Sequence, residues 1–232
     1  MAIVVRRTPP MLRNGLGPHH ACVVGARDES VTPFRILTVC TGNICRSPLA
    51  EQLLRSGLAE LTDVAVASAG THALVGAPMT DQAQRISRLM GGTRPEEHAA
   101  RDLAIDQLRE ADLVLALSRE HRRSIVEMLP RSARRTFTLR EFARLIVDLP
   151  DEEISFTHSS ERMIGVDRYG AIVEAASSRR GVVVPPEFPE DDDVVDPYRR
   201  SDEVYLQSAD QIGPAVTTIV SQFSRAATTS AT

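Results

Sequence analysis

Residues 34–48 read FRILTVCTGNICRSP. The first half of this stretch is an apolar run of the kind found in a buried strand. Ser47 followed by Pro48 predicts the start of a helix, with Ser47 as the N-cap and Pro48 at the first helical position. The residues between must form a loop, and Gly42 and Asn43 tolerate the left-handed backbone dihedrals that such a loop requires. The stretch therefore predicts a strand, a tight loop and a helix in immediate succession.

A loop of this kind directs its backbone N–H groups toward the N-terminus of the following helix, and that arrangement binds anions. The same environment favours the thiolate of Cys40, which is the nucleophilic form of a cysteine. Arg46 offers a planar fork for two phosphate oxygens and would hold them most tightly when the phosphoryl group flattens during transfer. Ser47 can donate a hydrogen bond to the Cys40 sulfur and help it leave in a second step. The segment thus predicts phosphoryl transfer with Cys40 as the nucleophile.

The leaving oxygen needs a proton donor that this segment does not contain. Asp196, in the sequence Asp196-Pro197-Tyr198, is the candidate general acid. Pro197 would stiffen the loop that carries the carboxyl group. Tyr198 could flank an aromatic ring of the substrate.

The composition excludes several classes of function. The chain has 232 residues and a net charge of −4, so it can form a domain with a real core, and nucleic acid is not an obvious partner. It contains no lysine, which excludes a lysine Schiff base and the lysine-dependent nucleotide-binding loop. No apolar stretch approaches the length of a membrane span. The 3 cysteines do not make a disulfide framework, so the expected setting is a reducing cytoplasm.

Alternating strands and helices predict an α/β fold, a three-layer sandwich with a central four-stranded parallel sheet and helices on both faces. Residues 1–33 are predicted to be a disordered N-terminal extension, residues 34–225 the folded domain, and residues 226–232 a disordered tail. The predicted strands are Phe34–Val39, Asp63–Ser68, Asp112–Leu117 and Arg135–Thr138. The predicted helices are Ser47–Leu61, Thr80–Met90, Arg119–Leu129, Leu139–Leu149 and Ser201–Phe223.

An insertion at about residues 151–195 interrupts this alternation. Ser159–Ser178 could form a helix, and Val182–Val195 is typical of a loop rich in proline and acidic residues. Its three consecutive acids, Asp191 to Asp193, are expected to be solvated. Loops of this length are usually functional or mobile.

These residues resemble the low-molecular-weight protein tyrosine phosphatases. Val39–Pro48 fits the signature loop of that family throughout. Ser68–Thr71 is similar to the segment that ends its second strand, His98–Arg101 to its His-x-Ala-Arg element, and Asp196–Tyr198 to its late Asp-Pro-Tyr loop. The resemblance covers about residues 34–225, with the motifs in the right order.

The resemblance implies a mechanism without a metal or other cofactor. Cys40 attacks phosphorus to form a phosphocysteine, Asp196 protonates the departing phenolate, and Asp196 then activates the water that releases phosphate. Asn43, Ser68 and His98 resemble a hydrogen-bond network that maintains the shape of the phosphate loop. The residues expected to bind substrate are Thr41, Gly42, Asn43, Ile44, Cys45, Ser47 and Tyr198, in addition to Arg46.

The resemblance also implies regulation and partners. Cys45 is similar to a second loop cysteine that can form a disulfide with Cys40 on oxidation, which would make the enzyme reversibly sensitive to peroxide. The implied partner is a phosphotyrosine protein. By resemblance to bacterial members, this could be an autophosphorylating tyrosine kinase.

Some positions depart from the family pattern. The family often places an aromatic residue in the loop after Thr71, whereas His72 or Leu74 would have to form that wall here. Many members carry an acidic residue where Ser118 stands. The insertion leaves open how Asp196 reaches the site.

Three other functions are alternatives. Arsenate reductases of this fold need further cysteines, and none follows Cys45. Protein arginine phosphatases have a similar loop with threonine at the position of Ile44, and the apolar Ile44 favours a flat aromatic leaving group. A phosphoprotein-binding regulatory module with little turnover would result if the insertion held Asp196 away from the cleft.

Overall fold

The computed structural model describes residues 32–150, 152 and 165–229. Their four strands form one parallel sheet in the order β2-β1-β3-β4. The strands are β1 Phe34–Cys40, β2 Val64–Gly70, β3 Leu113–Ala116 and β4 Thr136–Thr138. The helices are α1 Arg46–Gly57, α2 Asp81–Leu89, α3 Ile105–Glu110, α4 Arg119–Met128, α5 Leu139–Ile146, α6 Gly165–Arg179 and α7 Asp202–Thr229. Short 3-10 helices occur at Pro95–Glu97, Pro130–Arg135 and Pro189–Asp192.

Both faces of the sheet are buried, as expected for a parallel sheet covered by helices. On β1, Phe34 and Ile36 pack into the larger core, and Leu37 and Val39 into the smaller one. This alternation follows from the two-residue period of a strand. The larger core includes buried residues of α1, α2, α5, α6 and α7, and the smaller core includes those of α3 and α4. The predicted α/β sandwich with a four-stranded parallel sheet is confirmed.

The insertion contributes a core helix. In α6, which overlaps the predicted helix Ser159–Ser178, the Tyr169 side chain is fully buried. Its ring stacks on Phe223 at 5.0 Å and meets Phe34 edge-on at 5.4 Å. The Tyr169 hydroxyl donates to Asp63 at 3.1 Å. The predicted insertion therefore contributes Tyr169 to the hydrophobic core, where it packs against Phe34 of β1.

Two predicted boundaries need correction. The last helix does not end at Phe223 but continues to Thr229, and Ala226 is buried against the core. Residues 226–229 are thus helical rather than a disordered tail, and residues 230–232 lie outside the described residues, as do residues 1–31 of the predicted extension. The six-residue helix α3 was not predicted. Within the described part of the chain, no helix has the length and apolar character needed to cross a membrane.

Candidate active site

The loop between β1 and α1 takes its shape from Asn43, which adopts a left-handed conformation with φ 54°. Its side-chain amide donates to Ser47 Oγ at 2.9 Å and to Ser68 Oγ at 2.8 Å, and its side-chain oxygen accepts the N–H of Arg101 at 2.9 Å. Gly42, predicted to share the unusual conformation, lies outside the left-handed region. One fully buried asparagine therefore ties the loop to three other residues.

Ser47 is not the N-cap of α1, contrary to the local sequence signal. The helix begins at Arg46, with Cys45 at the cap position. The Ser47 side chain is buried, and its Oγ lies 3.0 Å from the Cys40 sulfur. Ser47 Oγ accepts a hydrogen bond from Asn43, and its own proton can be donated either to the Ala69 carbonyl at 3.3 Å or to the sulfur. The hydroxyl is thus placed where it can stabilise a negative charge on Cys40.

Ser68 and His98 make further hydrogen bonds behind the loop. Ser68 donates to Glu51 Oε2 at 2.6 Å, and His98 Nε2 donates to the carbonyl of Asn43 at 2.7 Å. Burial lowers the pKa of His98, although its hydrogen bond to Asn43 and the nearby Glu51 oppose the shift. A neutral His98 is the form that burial favours, and it acts here as a hydrogen-bond donor to the backbone.

Arg46, the predicted phosphate-binding residue, is in direct contact with Asp196, the predicted general acid. Arg46 is 6% exposed, and its Nη2 lies 2.9 Å from Asp196 Oδ2. Its Nη1 donates to the carbonyl of Val194 at 3.3 Å. Asp196 Oδ1 accepts the backbone N–H of Tyr198 at 3.2 Å, which closes the turn around Pro197. The insertion therefore does not hold Asp196 away from the loop.

A cavity of about 150 Å³ opens over this group. Its lining residues come from the loop, from the segment after β2 and from the Asp-Pro-Tyr turn: Cys40, Thr41, Gly42, Ile44, Cys45, Arg46, His72, Leu74, Asp196 and Tyr198. The cavity is lined by both His72 and Leu74, the two residues expected to replace an aromatic wall residue. Asn43, Ser47, Ser68 and His98 lie behind the loop and do not line the cavity. The sequence-predicted residues thus divide into a lining set and a supporting set.

Cys45 faces the cavity with its thiol engaged by neighbours. Its sulfur lies 3.5 Å from Tyr205 Oη and 3.6 Å from Thr80 Oγ1. Burial raises the pKa of Cys45 above its ordinary value, although hydrogen bonds from Thr80 and Tyr205 oppose the shift. Burial also raises the pKa of Tyr205 to about 12. Cys45 is therefore a protonated thiol at neutral pH, and both loop cysteines are unpaired in this structure.

His121, at the start of α4, is a site residue that was not predicted from the sequence. Its side chain is buried, with Nε2 2.8 Å from Thr41 Oγ1 and Nδ1 2.8 Å from Ser118 Oγ. Burial, together with the nearby Arg46 charge, lowers its pKa to about 4. A signal was available, because Ser118 caps α4 at the end of β3, and parallel strands end at the same edge of a sheet.

Asp192 and Asp193, expected to be merely solvated, are bound to arginines. Asp193 pairs with Arg119 at 3.1 Å and Asp192 with Arg144 at 2.9 Å. Both carboxylates are largely covered, with 27% and 16% of the side-chain surface exposed. Nothing in the local sequence identifies these partners, which lie 74 and 48 residues away. Asp191 is exposed, as expected.

Residues 35–158 match the family model for low molecular weight phosphotyrosine protein phosphatase. The chain belongs to this family. Low molecular weight protein-tyrosine-phosphatase Etp of Escherichia coli strain K12 is 43% identical over 95 residues, which cover 41% of this chain and 62% of the relative. The match thus spans less than two thirds of that relative's length.

Two further comparisons bear on this phosphatase family member. Protein-arginine-phosphatase of Geobacillus stearothermophilus is 38% identical over 110 residues, covering 47% of this chain and 72% of the relative. A solved structure of the low molecular weight protein tyrosine phosphatase from T. tengcongensis superposes with a TM-score of 0.57 and 28% identity, covering 81% of this chain and 98% of that one. Relatives of this chain thus include proteins named for two different phosphorylated residues.

No group of three or more His, Cys, Asp or Glu side chains arranged to hold a metal ion occurs in residues 32–150, 152 and 165–229.

Proposed function

We propose that this protein is a protein-tyrosine phosphatase that works through a phosphocysteine on Cys40. The observation that carries the proposal is the meeting of Cys40, Arg46 and Asp196 around one cavity. A thiol nucleophile, a guanidinium fork and a carboxyl group are what phosphoryl transfer from an aryl ester requires.

The reaction begins when the Cys40 thiolate attacks phosphorus opposite the ester oxygen. Arg46 and the loop amides hold the equatorial phosphate oxygens. As the P–O bond breaks, Asp196 gives its proton to the leaving oxygen, so that the phenol departs neutral. In the second step the Asp196 carboxylate takes a proton from water, the water oxygen attacks phosphorus, and Cys40 leaves with Ser47 Oγ donating to its sulfur.

The test is the steady-state rate on p-nitrophenyl phosphate from about pH 5 to 8 for the parent, Cys40→Ser and Asp196→Ala. Cys40→Ser should be inactive, and Asp196→Ala should lose roughly a hundredfold. Asp191→Ala is the matched control, because Asp191 is an exposed acid in the same segment. A folded parent without turnover would favour the phosphoprotein-binding module. Full activity in Asp196→Ala would remove Asp196 from the mechanism but leave the nucleophile.

Protein arginine phosphatase is the second candidate, favoured by the similarity to the Geobacillus protein of that name. Ile44 argues for phosphotyrosine, because it lines the cavity and its apolar side chain suits a flat ring better than a guanidinium. Rates on matched phosphotyrosine and phosphoarginine peptides decide between them. A preference for phosphoarginine in the parent would overturn the tyrosine assignment, and Ile44→Thr should shift the ratio toward phosphoarginine.

The proposed partner is a phosphotyrosine protein, with an autophosphorylating tyrosine kinase as the first to test. We also propose reversible oxidation at the loop. Peroxide would convert the Cys40 thiolate to a sulfenic acid, and the Cys45 thiol would then attack that sulfur, releasing water and forming a disulfide. Cys45 must give up its contacts with Thr80 and Tyr205 to do so.

A further inference from the structure

The segment leading into Asp196 is held by arginines from two helices. The Asp193 carboxylate accepts the Arg119 backbone N–H at 2.6 Å and its side-chain Nε and Nη2 at 3.2 and 3.1 Å. Arg140 Nη1 donates to the Asp193 carbonyl at 3.0 Å. Both Asp192 oxygens accept from Arg144 Nη2, at 3.2 and 2.9 Å. We call Arg119, Arg140 and Arg144 the arginine clamp.

The two residues between the clamped acids and Asp196 are also fixed. The Val194 N–H donates to the carbonyl of Leu117 at 2.9 Å, and the Val194 side chain is buried in the core. The Val195 N–H donates to Gln211 Oε1 at 2.8 Å. The backbone therefore leaves little freedom to the residue that follows, Asp196.

The contacts that hold residues 192 to 195 matter most when substrate is bound. In the present structure Asp196 is 54% exposed and is held through its side chain by Arg46. A bound phosphate would occupy the Arg46 fork and displace that contact. The position of the Asp196 carboxyl would then depend on its backbone, and so on the contacts made by Asp192 and Asp193.

The clamp differs from ordinary surface ion pairs. Arg109 and Asp106 also meet at 2.7 Å, but both are at least half exposed and lie on one short helix, so their pair contributes little. Asp193 is instead largely covered, engages Arg119 with two side-chain nitrogens, and accepts an N–H at the first turn of α4, where the helix dipole favours a negative charge. The position of the Asp193 carboxylate is thus fixed by both the backbone and the side chain of Arg119.

We propose that Arg119 and Arg144 are positioning residues for general-acid catalysis, acting through Asp193 and Asp192 on the placement of Asp196. The proposal rests on the proposed function. The step it serves is the transfer of the Asp196 proton to the bridging ester oxygen as the S–P bond forms and the P–O electron pair goes to that oxygen. Small displacements of a catalytic group reduce such transfers strongly.

The experiment uses the leaving-group dependence of kcat/KM, which reports the steps up to departure of the phenol. Phenyl phosphate needs a protonated leaving group, whereas 2,4-dinitrophenyl phosphate does not. Arg119→Gln and Arg144→Gln should each lower kcat/KM for phenyl phosphate roughly tenfold, with less than a twofold change for the dinitrophenyl ester. Arg109→Gln, which removes an exposed ion pair elsewhere, should change neither rate.

A double-mutant cycle separates positioning from a general loss of structure. If Arg119 acts through Asp196, Arg119→Gln should have no further effect in the Asp196→Ala background. Equal losses on both esters that persist in that background would show a structural role and overturn the proposal, as would normal rates in both clamp variants. If Asp196→Ala retains full kcat/KM on phenyl phosphate, Asp196 is not the general acid and the positioning role is also wrong. The Asp196→Ala variant by itself therefore distinguishes a failure of the proposed function from a failure of the positioning proposal.

Discussion

Arg46 and Asp196 form an ion pair at 2.9 Å, and both line the cavity that contains Cys40. The ionised carboxylate of Asp196 therefore competes with an incoming phosphate dianion for Arg46. It already occupies part of the guanidinium, and its negative charge repels the second anion. The protonated form of Asp196, which the first chemical step uses, removes both obstacles. A phosphate dianion is thus expected to bind more tightly when the side chain at position 196 carries no charge.

Replacing Asp196 by asparagine should tighten the binding of inorganic phosphate. The substitution keeps the shape of the side chain and removes its charge. Because Asp196 is half exposed, the pair contributes about 0.2–1 kcal/mol, so the inhibition constant for phosphate should fall about 1.4- to 5-fold. Competitive inhibition measured on 2,4-dinitrophenyl phosphate gives this constant. Asp191→Asn should leave it unchanged, and weaker binding in Asp196→Asn would contradict the competition.

Replacing Ser47 by alanine should slow the second chemical step more than the first. The hydroxyl lies 3.0 Å from the Cys40 sulfur, and a hydrogen bond to a charged group contributes about 1.5–3 kcal/mol. Its loss should reduce kcat roughly tenfold or more. Because phosphocysteine would accumulate, rapid mixing with p-nitrophenyl phosphate should show a larger burst of nitrophenol. Ser124→Ala is the control, since the Ser124 hydroxyl donates to the backbone carbonyl of Glu120 at the exposed side of α4. A reduced burst would place the effect in the first step instead.

Strands β1 and β3 were predictable because each contains a short apolar run that is buried on both faces. β1 was expected at Phe34–Val39 and extends one residue further, to Cys40. Helix α3 was missed because it has six residues and only Leu108 is buried, which is too little to produce a periodic pattern. The end of α7 was placed too early because Ala226, which is small, carries most of the burial signal there.

The site was predictable where its chemistry lies within one segment and not where it depends on distant contacts. Cys40 and Arg46 stand in one loop, so their spacing identifies them. Ser47 matched a capping signature, but tertiary contacts direct its hydroxyl inward to Cys40. The partners of Asp192 and Asp193 are separated from them by 48 and 74 residues, and a single sequence contains no record of that pairing.

Truncation of Tyr169 tests whether the insertion belongs to the core. The ring is fully buried between Phe34 and Phe223, so Tyr169→Ala should lower the free energy of unfolding by about 3–5 kcal/mol. Tyr169→Phe keeps the ring and removes the hydroxyl, which donates to Asp63 and accepts from Arg168, and this should cost about 1–2 kcal/mol. Urea unfolding measures both. Equal effects would mean that the ring contributes nothing beyond its hydroxyl.

Protonation of His121 should destabilise the protein in mild acid. Its pKa falls from 6.5 to about 4 because burial and the Arg46 charge disfavour the cation, against smaller opposing effects of Asp196 and Asp193. Between these two pH values the unfolded chain binds a proton that the folded chain does not, so stability is lost as the pH falls from 6.5 toward 4. The loss should reach about 3 kcal/mol. Urea unfolding at pH 7 and pH 4.5 measures it. His121→Gln should remove the part of this dependence that His121 contributes and leave the part due to His98, whose pKa burial also lowers; an unchanged slope in His121→Gln would mean that another group carries the acid sensitivity.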